Sequence, residues 1–244
     1  MLELFLDTAS TAEIRSALPL GVISGVTTNQ KIFLAEKGCN FKDRVQEILS
    51  LVNGPLSVEL TNTDGTDGEM IKEALEYSRW NPKNIVIKVP MFGDGRGLKI
   101  ISQLRRRRVK TNATALMSVN QVMLAAKAGA TYASIFFNRV KDAGEDAERV
   151  VRESRALLDR MGTPTKIIVG SIRKPEDVAQ AAVAGTHVIT IPYKILVQMP
   201  CHKKTEETIA EFDRAWQEFR QAEKQPSSRD LPAGGTSPGR SMTC

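Results

Sequence analysis

One lysine in this chain stands where lysines are seldom found. Lys88 falls inside IVIKVP (85–90), a run of apolar β-formers. Lysine is almost never fully buried without a partner. If the run is a strand, Val86 shares a face with Lys88, and Ile87 and Val89 take the other. Two readings of such an amine compete. It can be one half of a structural ion pair, with Glu59 or Asp7 as the other half. It can also be a nucleophile. A free lysine amine is neutral in only about one in two to three thousand molecules at pH 7, and desolvation or nearby cations raise that fraction. A neutral amine condenses with a ketone to give a Schiff base.

Other chemistry-bearing residues fall at the ends of similar runs. Asp7 closes LELFLDT (2–8), and Glu59 lies in PLSVEL (55–60). Two carboxylates beside one amine can divide proton transfers between them, directly or through water. Thr27, Thr28 and Asn29 close or succeed GVISGVT (21–27), and Thr111, Asn112 and Thr114 lie in VKTNAT (109–114). Phe136 lies at the end of YASIFF (132–137), and Arg139 stands two residues beyond that run. Ser171 and Arg173 lie at the end of TKIIVGSI (165–172) and just after it. Serine and arginine there suit an anion site, which helix N-termini and bidentate guanidinium groups both favour.

These residues can cooperate only if one architecture brings strand ends together. Eight short apolar runs, the last being HVITIP (187–192), alternate with amphipathic helical stretches such as EMIKEALEYSRW and DAERVVRESRALLDRMG. Glycines 129, 162 and 185 suit helix C-termini, and Pro175 suits a first helical turn. Near-continuous apolar strands alternating with helices predict a parallel sheet covered on both faces. Eight units in about 250 residues predict an α/β fold, a (β/α)8 TIM barrel with its chemistry at the C-terminal strand ends. The alternative, an open doubly wound sheet, lacks its usual marker, since LDTAST after the first strand has no glycine. Ser10 or Thr11 is the expected cap of the first helix, with Glu13 reaching back. One domain is expected over 1–221, including an additional C-terminal helix at 205–221. A disordered tail rich in Pro, Gly and Ser is expected over 222–244.

Composition narrows the chemistry. The 244 residues include only two histidines, His187 and His202, and three cysteines, Cys39, Cys201 and Cys244. No spacing among them resembles a metal site, and a Ser-His-Asp relay has little material. Three scattered cysteines suit a reducing, cytoplasmic compartment. The N-terminal MLELFLDTAS lacks the basic start of a signal peptide, and no apolar run is long enough to span a membrane. The net charge of +6 favours acidic partners. The most basic run, Arg105–Arg108, lacks interleaved aromatics, so nucleic acid is not favoured over a solvated helix end.

With these residues in view, the chain resembles the transaldolase family, and within it the short transaldolases and fructose-6-phosphate aldolases. The resemblance covers about residues 2–220. It is carried by LDTA (6–9), GVTTN (25–29), IKVP (87–90), TNAT (111–114), QVMLAAKAGATY (121–132) and GSIRKPE (170–176). It implies that Lys88 forms the Schiff base and that Asp7 is the catalytic aspartate. Glu59 and Thr114 join the catalytic set. Thr28, Asn29 and Ser171 surround the dihydroxyacetone unit, and Arg139 and Arg173 bind phosphate. It implies transfer of dihydroxyacetone from a ketose phosphate to an aldose phosphate, with no metal or organic cofactor. It places the enzyme in the pentose phosphate pathway and implies a homo-oligomer, a pentamer or decamer. Glu59 and Phe136 resemble transaldolases; aldolases that release free dihydroxyacetone carry glutamine and tyrosine there. The chain departs from the family pattern at Gln30, Ile135 and Asn138, all bordering the mouth, and its GDGRG loop (93–97) is longer by about two residues.

Overall fold

The computed structural model describes residues 1–223. Eight parallel strands close into a barrel in chain order. They are β1 (Glu3–Asp7), β2 (Ile23–Thr27), β3 (Leu56–Glu59), β4 (Ile85–Pro90), β5 (Thr111–Leu116), β6 (Tyr132–Phe136), β7 (Lys166–Gly170) and β8 (Val188–Ile191). β1 pairs with both β2 and β8, which closes the ring. Each strand lies within, or overlaps, the run expected from the sequence. The fold is the (β/α)8 TIM barrel. In the barrel unit, Met1–Met199, the connections carry helices α1 (Thr11–Ala17), α2 (Gln30–Ala35), α3 (Phe41–Leu51), α4 (Asp67–Trp80), α5 (Arg96–Arg106), α6 (Val119–Ala128), α7 (Phe137–Asp142), α8 (Ala147–Met161), α9 (Pro175–Val183) and α10 (Tyr193–Leu196).

The strand residues that face outward pack under these helices. Leu6, Val58, Ile87, Val89, Ala113, Ile135, Val169 and Ile189 are buried in one continuous core with Ile14, Ile48, Met70, Ile100 and Leu158 from the helices. The faces turned into the barrel form a separate apolar cluster of Phe5, Val86, Tyr132, Ile168 and Val188. Gly25 makes room for it. A Cβ there would lie 2.8 Å from the Phe5 ring, so any larger residue would displace the plug. The rings of Phe5 and Tyr132 meet edge to face, with centroids 6.2 Å apart.

Side chains on a strand return to the same face every second residue. Two positions beyond Phe5, Val86, Tyr132, Ile168 and Val188 come Asp7, Lys88, Ser134, Gly170 and Thr190. The interior therefore changes from apolar to polar in one step along the strands, toward their C-terminal ends. An apolar floor excludes water from below a polar mouth.

Local sequence explains the helix ends. Ser10 caps α1 by accepting from the Glu13 amide. Glu13 does not reach back to Ser10, however. Its carboxylate accepts instead from the Thr8 hydroxyl at 2.5 Å, and Thr8 Oγ1 accepts from the Ser10 amide. Thr66 and Glu69 form the reciprocal capping box at the start of α4. Gly129 and Gly162 end α6 and α8 in the left-handed conformation, and Pro175 begins α9, as expected.

A second unit begins at Pro200. It contains α11 (Lys203–Glu223), two residues longer at each end than the helix expected at 205–221, so residues 222 and 223 are helical and not tail. Ile209, Phe212, Trp216 and Phe219 are exposed on it, at spacings of three and four residues that place them on one face. Trp216 and Phe219 stack with centroids 5.4 Å apart. The rest of the tail expected at 222–244 lies outside the described residues. Among those described, no helix is long and apolar enough to cross a membrane.

Candidate active site

The strand register builds the site. Glu59 and Lys88 are partners across β3 and β4, and Lys88 and Asn112 are partners across β4 and β5. Lys88 is 4% exposed. Its Nζ lies 3.1 Å from Glu59 Oε2 and donates to the Thr28 carbonyl at 3.1 Å. The ring centroid of Phe136 lies 6.0 Å from the same nitrogen. The amine therefore has a carboxylate, a carbonyl and an aromatic ring around it. That satisfies the ion-pair reading of Lys88 and leaves the nucleophile reading intact, because the pair lies at the mouth where a substrate can reach it.

Asp7 enters from β1, three strands round the barrel from Lys88 on β4. Thr27 Oγ1 donates to Asp7 Oδ1 at 2.6 Å, and Thr27 and Thr190 share a second 2.6 Å contact. With Asp7 ionised, the single Thr27 proton is committed to it, so Thr190 is the donor in the second contact. Asp7 Oδ2 has no hydrogen-bond partner among the described residues. Burial of the carboxylate among the barrel atoms pushes its pKa above the ordinary aspartate value; the charge of Lys88 and the Thr27 hydrogen bond pull the other way and do not cancel it. An acid that holds its proton more readily than usual, with one free oxygen, is suited to passing a proton back and forth.

A third group of polar contacts supports the wall. Ser134 Oγ donates to Asn112 Oδ1 at 2.8 Å, and Asn112 Nδ2 donates to Ser57 Oγ at 3.2 Å. Two residues beyond Asn112, the Thr114 hydroxyl is buried without any hydrogen-bond partner. An orphaned hydroxyl at this depth is costly unless a bound molecule satisfies it. Ser57, Ser134 and Thr190 were not among the expected site residues. Their signal in the sequence is a hydroxyl side chain inside an apolar strand, which by itself is common.

The remaining expected residues fall into two groups. Thr28 spends its hydroxyl on the Ser57 carbonyl at 2.8 Å, so its carbonyl, not its side chain, faces Lys88. Asn29 caps α2 through Oδ1, accepting from the Ile32 amide at 2.9 Å. Asn29 and Glu59 line a pocket of about 160 Å³ with Gln30, Phe33, Phe41 and Thr61. Gln30 closes its rim by donating to the Leu60 carbonyl at 2.7 Å. Arg139 is exposed on α7. Arg173 is not free: its guanidinium forks onto Asp142, with contacts of 2.7 and 2.5 Å. That hydrogen-bonded pair holds the Asp142 carboxyl below its usual range and raises Arg173.

The expected helix N-terminus differs as well. Asp177, fully buried in the first turn of α9, accepts from the backbone amides of Arg173 and Lys174 at 3.1 and 3.2 Å. Those amides are already used by the protein's own carboxylate. Burial pushes Asp177 upward, but hydrogen bonds from Asn138, the Arg173 amide and Lys141 outweigh it, and the net direction is down.

Among the described residues, three of the four non-glycine residues with left-handed backbone lie at this mouth: Phe92, Ala115 and Ser171. Such conformations cost about 1–3 kcal/mol each and persist where neighbours enforce them. The histidines are elsewhere. His187 accepts from the Ile167 amide at 3.0 Å, next to the start of β8, and burial lowers its pKa. The Arg105–Arg108 run is exposed at the end of α5. A groove of about 550 Å³ near it is lined by α5 and α6, outside the strands.

A closed parallel barrel thus carries a buried lysine and two carboxylates at a polar mouth, an arrangement of the kind enzymes use. The comparisons with known proteins narrow the reading. Residues 4–230 match the family described as transaldolase/fructose-6-phosphate aldolase, and the chain belongs to that family. It is 46% identical over 215 residues to a "probable transaldolase" of Desulforudis audaxviator, covering 88% of this chain and 97% of that one. It is 43% identical over 216 residues to one from Carboxydothermus hydrogenoformans, covering 88% and 98%. It is 45% identical over 213 residues to one from Heliobacterium modesticaldum, covering 87% and 96%. Among solved structures, a mandelate oxidase mutant with an FMN adduct superposes with a TM-score of 0.52 at 13% identity. The match covers 75% of this chain and 59% of that one, and it shows a shared fold alone.

Proposed function

We propose that the protein is a transaldolase that moves a dihydroxyacetone unit from a ketose phosphate to an aldose phosphate through a Schiff base on Lys88. The observation that carries this reading is the environment of Lys88: an amine 4% exposed, paired with Glu59 at 3.1 Å above an apolar floor. In this reading the neutral amine attacks the ketone carbon of the donor and water leaves, giving the iminium ion. Asp7 takes the C4 hydroxyl proton as the C3–C4 bond breaks. The electron pair of that bond moves into the iminium, the aldehyde departs, and an enamine stays on Lys88. The enamine carbon then attacks the carbonyl of the aldose phosphate, and Asp7 returns a proton to the new hydroxyl. Hydrolysis frees Lys88. Glu59 shuttles protons with water during the Schiff-base steps, and Thr114 holds that water with its otherwise unpartnered hydroxyl.

The second reading, an aldolase releasing free dihydroxyacetone, needs a proton donor at the enamine carbon. Phe136 is the aromatic residue facing Lys88, and it has no hydroxyl to give. That favours transfer over cleavage. Arg139, Arg173 and Ser171 are assigned to the phosphate end, in cytoplasmic sugar-phosphate metabolism. The exposed apolar face of α11 supports a homo-oligomer.

The test is a pair of assays on fructose 6-phosphate. With erythrose 4-phosphate present, sedoheptulose 7-phosphate accumulates; without an acceptor, free dihydroxyacetone stays a minor product. Free dihydroxyacetone as the main product in both assays would favour the aldolase.

A further inference from the structure

Asn138 lies in the first turn of a short helix, α7, beside the proposed phosphate end. It is 7% exposed. Its carboxamide nitrogen donates twice, to the Ser171 carbonyl at 2.8 Å and to Asp177 Oδ2 at 2.7 Å. Both partners are acceptors only, so the amide orientation is fixed and both N–H groups are used. Asp177 in turn gathers the amides of Arg173 and Lys174 and the Lys141 ammonium, the last at 3.0 Å. Lys141 also donates to Gln180 at 2.8 Å. Asn138 thus touches both ends of the segment from Ser171 to the start of α9.

Ser171 has φ +60°, in the left-handed region that a serine avoids. Something must hold it there, and the bond from Asn138 to its carbonyl is positioned to do so. We propose that Asn138 is a positioning residue for the substrate phosphate. It fixes the Ser171 backbone and, through Asp177, the Arg173 backbone, so that the serine hydroxyl and the arginine side chain start from set places. Asn138 itself does not touch substrate. The proposal rests on the assignment of Ser171 and Arg173 to the phosphate end.

Two variants and three readouts test it. Asn138→Ala removes both donors. Asn138→Asp keeps the size but sets an acceptor against the Ser171 carbonyl and Asp177. Melting curves establish that each variant is folded, and if one is not, the other decides. The first readout is inorganic phosphate binding by calorimetry, expected to weaken about tenfold. The second is the KM for fructose 6-phosphate, expected to rise about tenfold while kcat stays within about twofold. The third is borohydride trapping of unphosphorylated dihydroxyacetone on Lys88, expected to change less than about twofold. Unchanged phosphate binding in a folded variant would overturn the proposal. So would an equal loss of dihydroxyacetone trapping, which marks a general structural role. Absence of trapping in the wild-type protein would contradict the lysine chemistry instead, and the phosphate titration would still decide the role of Asn138.

Discussion

Glu59 and Lys88 face each other across adjacent strands, with the carboxylate oxygen 3.1 Å from the amine and both side chains mostly buried. Neither is accommodated without the other. Glu59→Ala leaves a buried ammonium with only the Thr28 carbonyl, at a cost of about 3 kcal/mol in unfolding free energy. Glu59→Gln keeps an acceptor and costs markedly less. Urea unfolding at neutral pH measures both. Equal losses below about 1 kcal/mol would show that the pair contributes little to the barrel.

If Asp7 is the catalytic acid–base of the proposed reaction, it trades stability for function. Its folded pKa lies above the ordinary value of 3.8, chiefly through burial. The folded protein therefore binds this proton more tightly than the unfolded chain, and stability falls as pH rises through the folded pKa. Above that window the upward shift is a net cost to the folded state. Asp7→Asn keeps an acceptor for Thr27 and removes the charge. It should raise the urea midpoint at pH 7, and the gain should disappear as pH falls below about 3.8. Turnover should fall by about 10² to 10⁴. A variant less stable than wild type at pH 7, or a gain that grows on acidification, would contradict the assignment.

Asp142 holds the guanidinium that a phosphate would need. Freeing it with Asp142→Asn should lower the KM for fructose 6-phosphate by about threefold, a small change because the pair is exposed. Borohydride trapping of unphosphorylated dihydroxyacetone on Lys88 should not change. A higher KM for the phosphorylated donor would mean that Asp142 aims Arg173 and does not compete for it.

In the proposed reading, Phe136 separates transfer from cleavage. Phe136→Tyr puts a hydroxyl near the enamine on Lys88, and release of free dihydroxyacetone should rise relative to transfer. Product analysis by chromatography, with and without erythrose 4-phosphate, gives the ratio. An unchanged ratio would remove the reason for preferring transfer.

Much of this molecule is readable in its sequence. Seven of the eight strands lie in runs dominated by apolar β-formers, because strands buried on both faces leave little room for polar residues; β5 is the exception, with Thr111, Asn112 and Thr114 all buried. Lys88, Asp7 and Glu59 stand out as charges within or at the ends of those runs, and register brings Lys88 and Glu59 together. The wall of Ser57, Asn112 and Ser134 is harder to read. A serine in a strand is ordinary until register shows what lies across from it. The phosphate end is harder still. Arg173 looks like a free anion ligand in the sequence, yet Asp142, 31 residues away, occupies its fork. The amides at the start of α9 look available, yet Asp177 has taken two of them. Glu13 likewise turns to Thr8 and leaves the Ser10 amide to the Thr8 hydroxyl. In each case a nearby side chain competes for a group that local sequence alone would leave open.

The central claim is that Lys88 forms a covalent bond with the ketone of its substrate. Incubation with fructose 6-phosphate followed by borohydride fixes any Schiff base as a secondary amine, and peptide mass spectrometry locates it. A dihydroxyacetone adduct on Lys88, and none in Lys88→Met, is the expected result. No adduct with any ketose phosphate tested, or an adduct that persists in Lys88→Met, would contradict it.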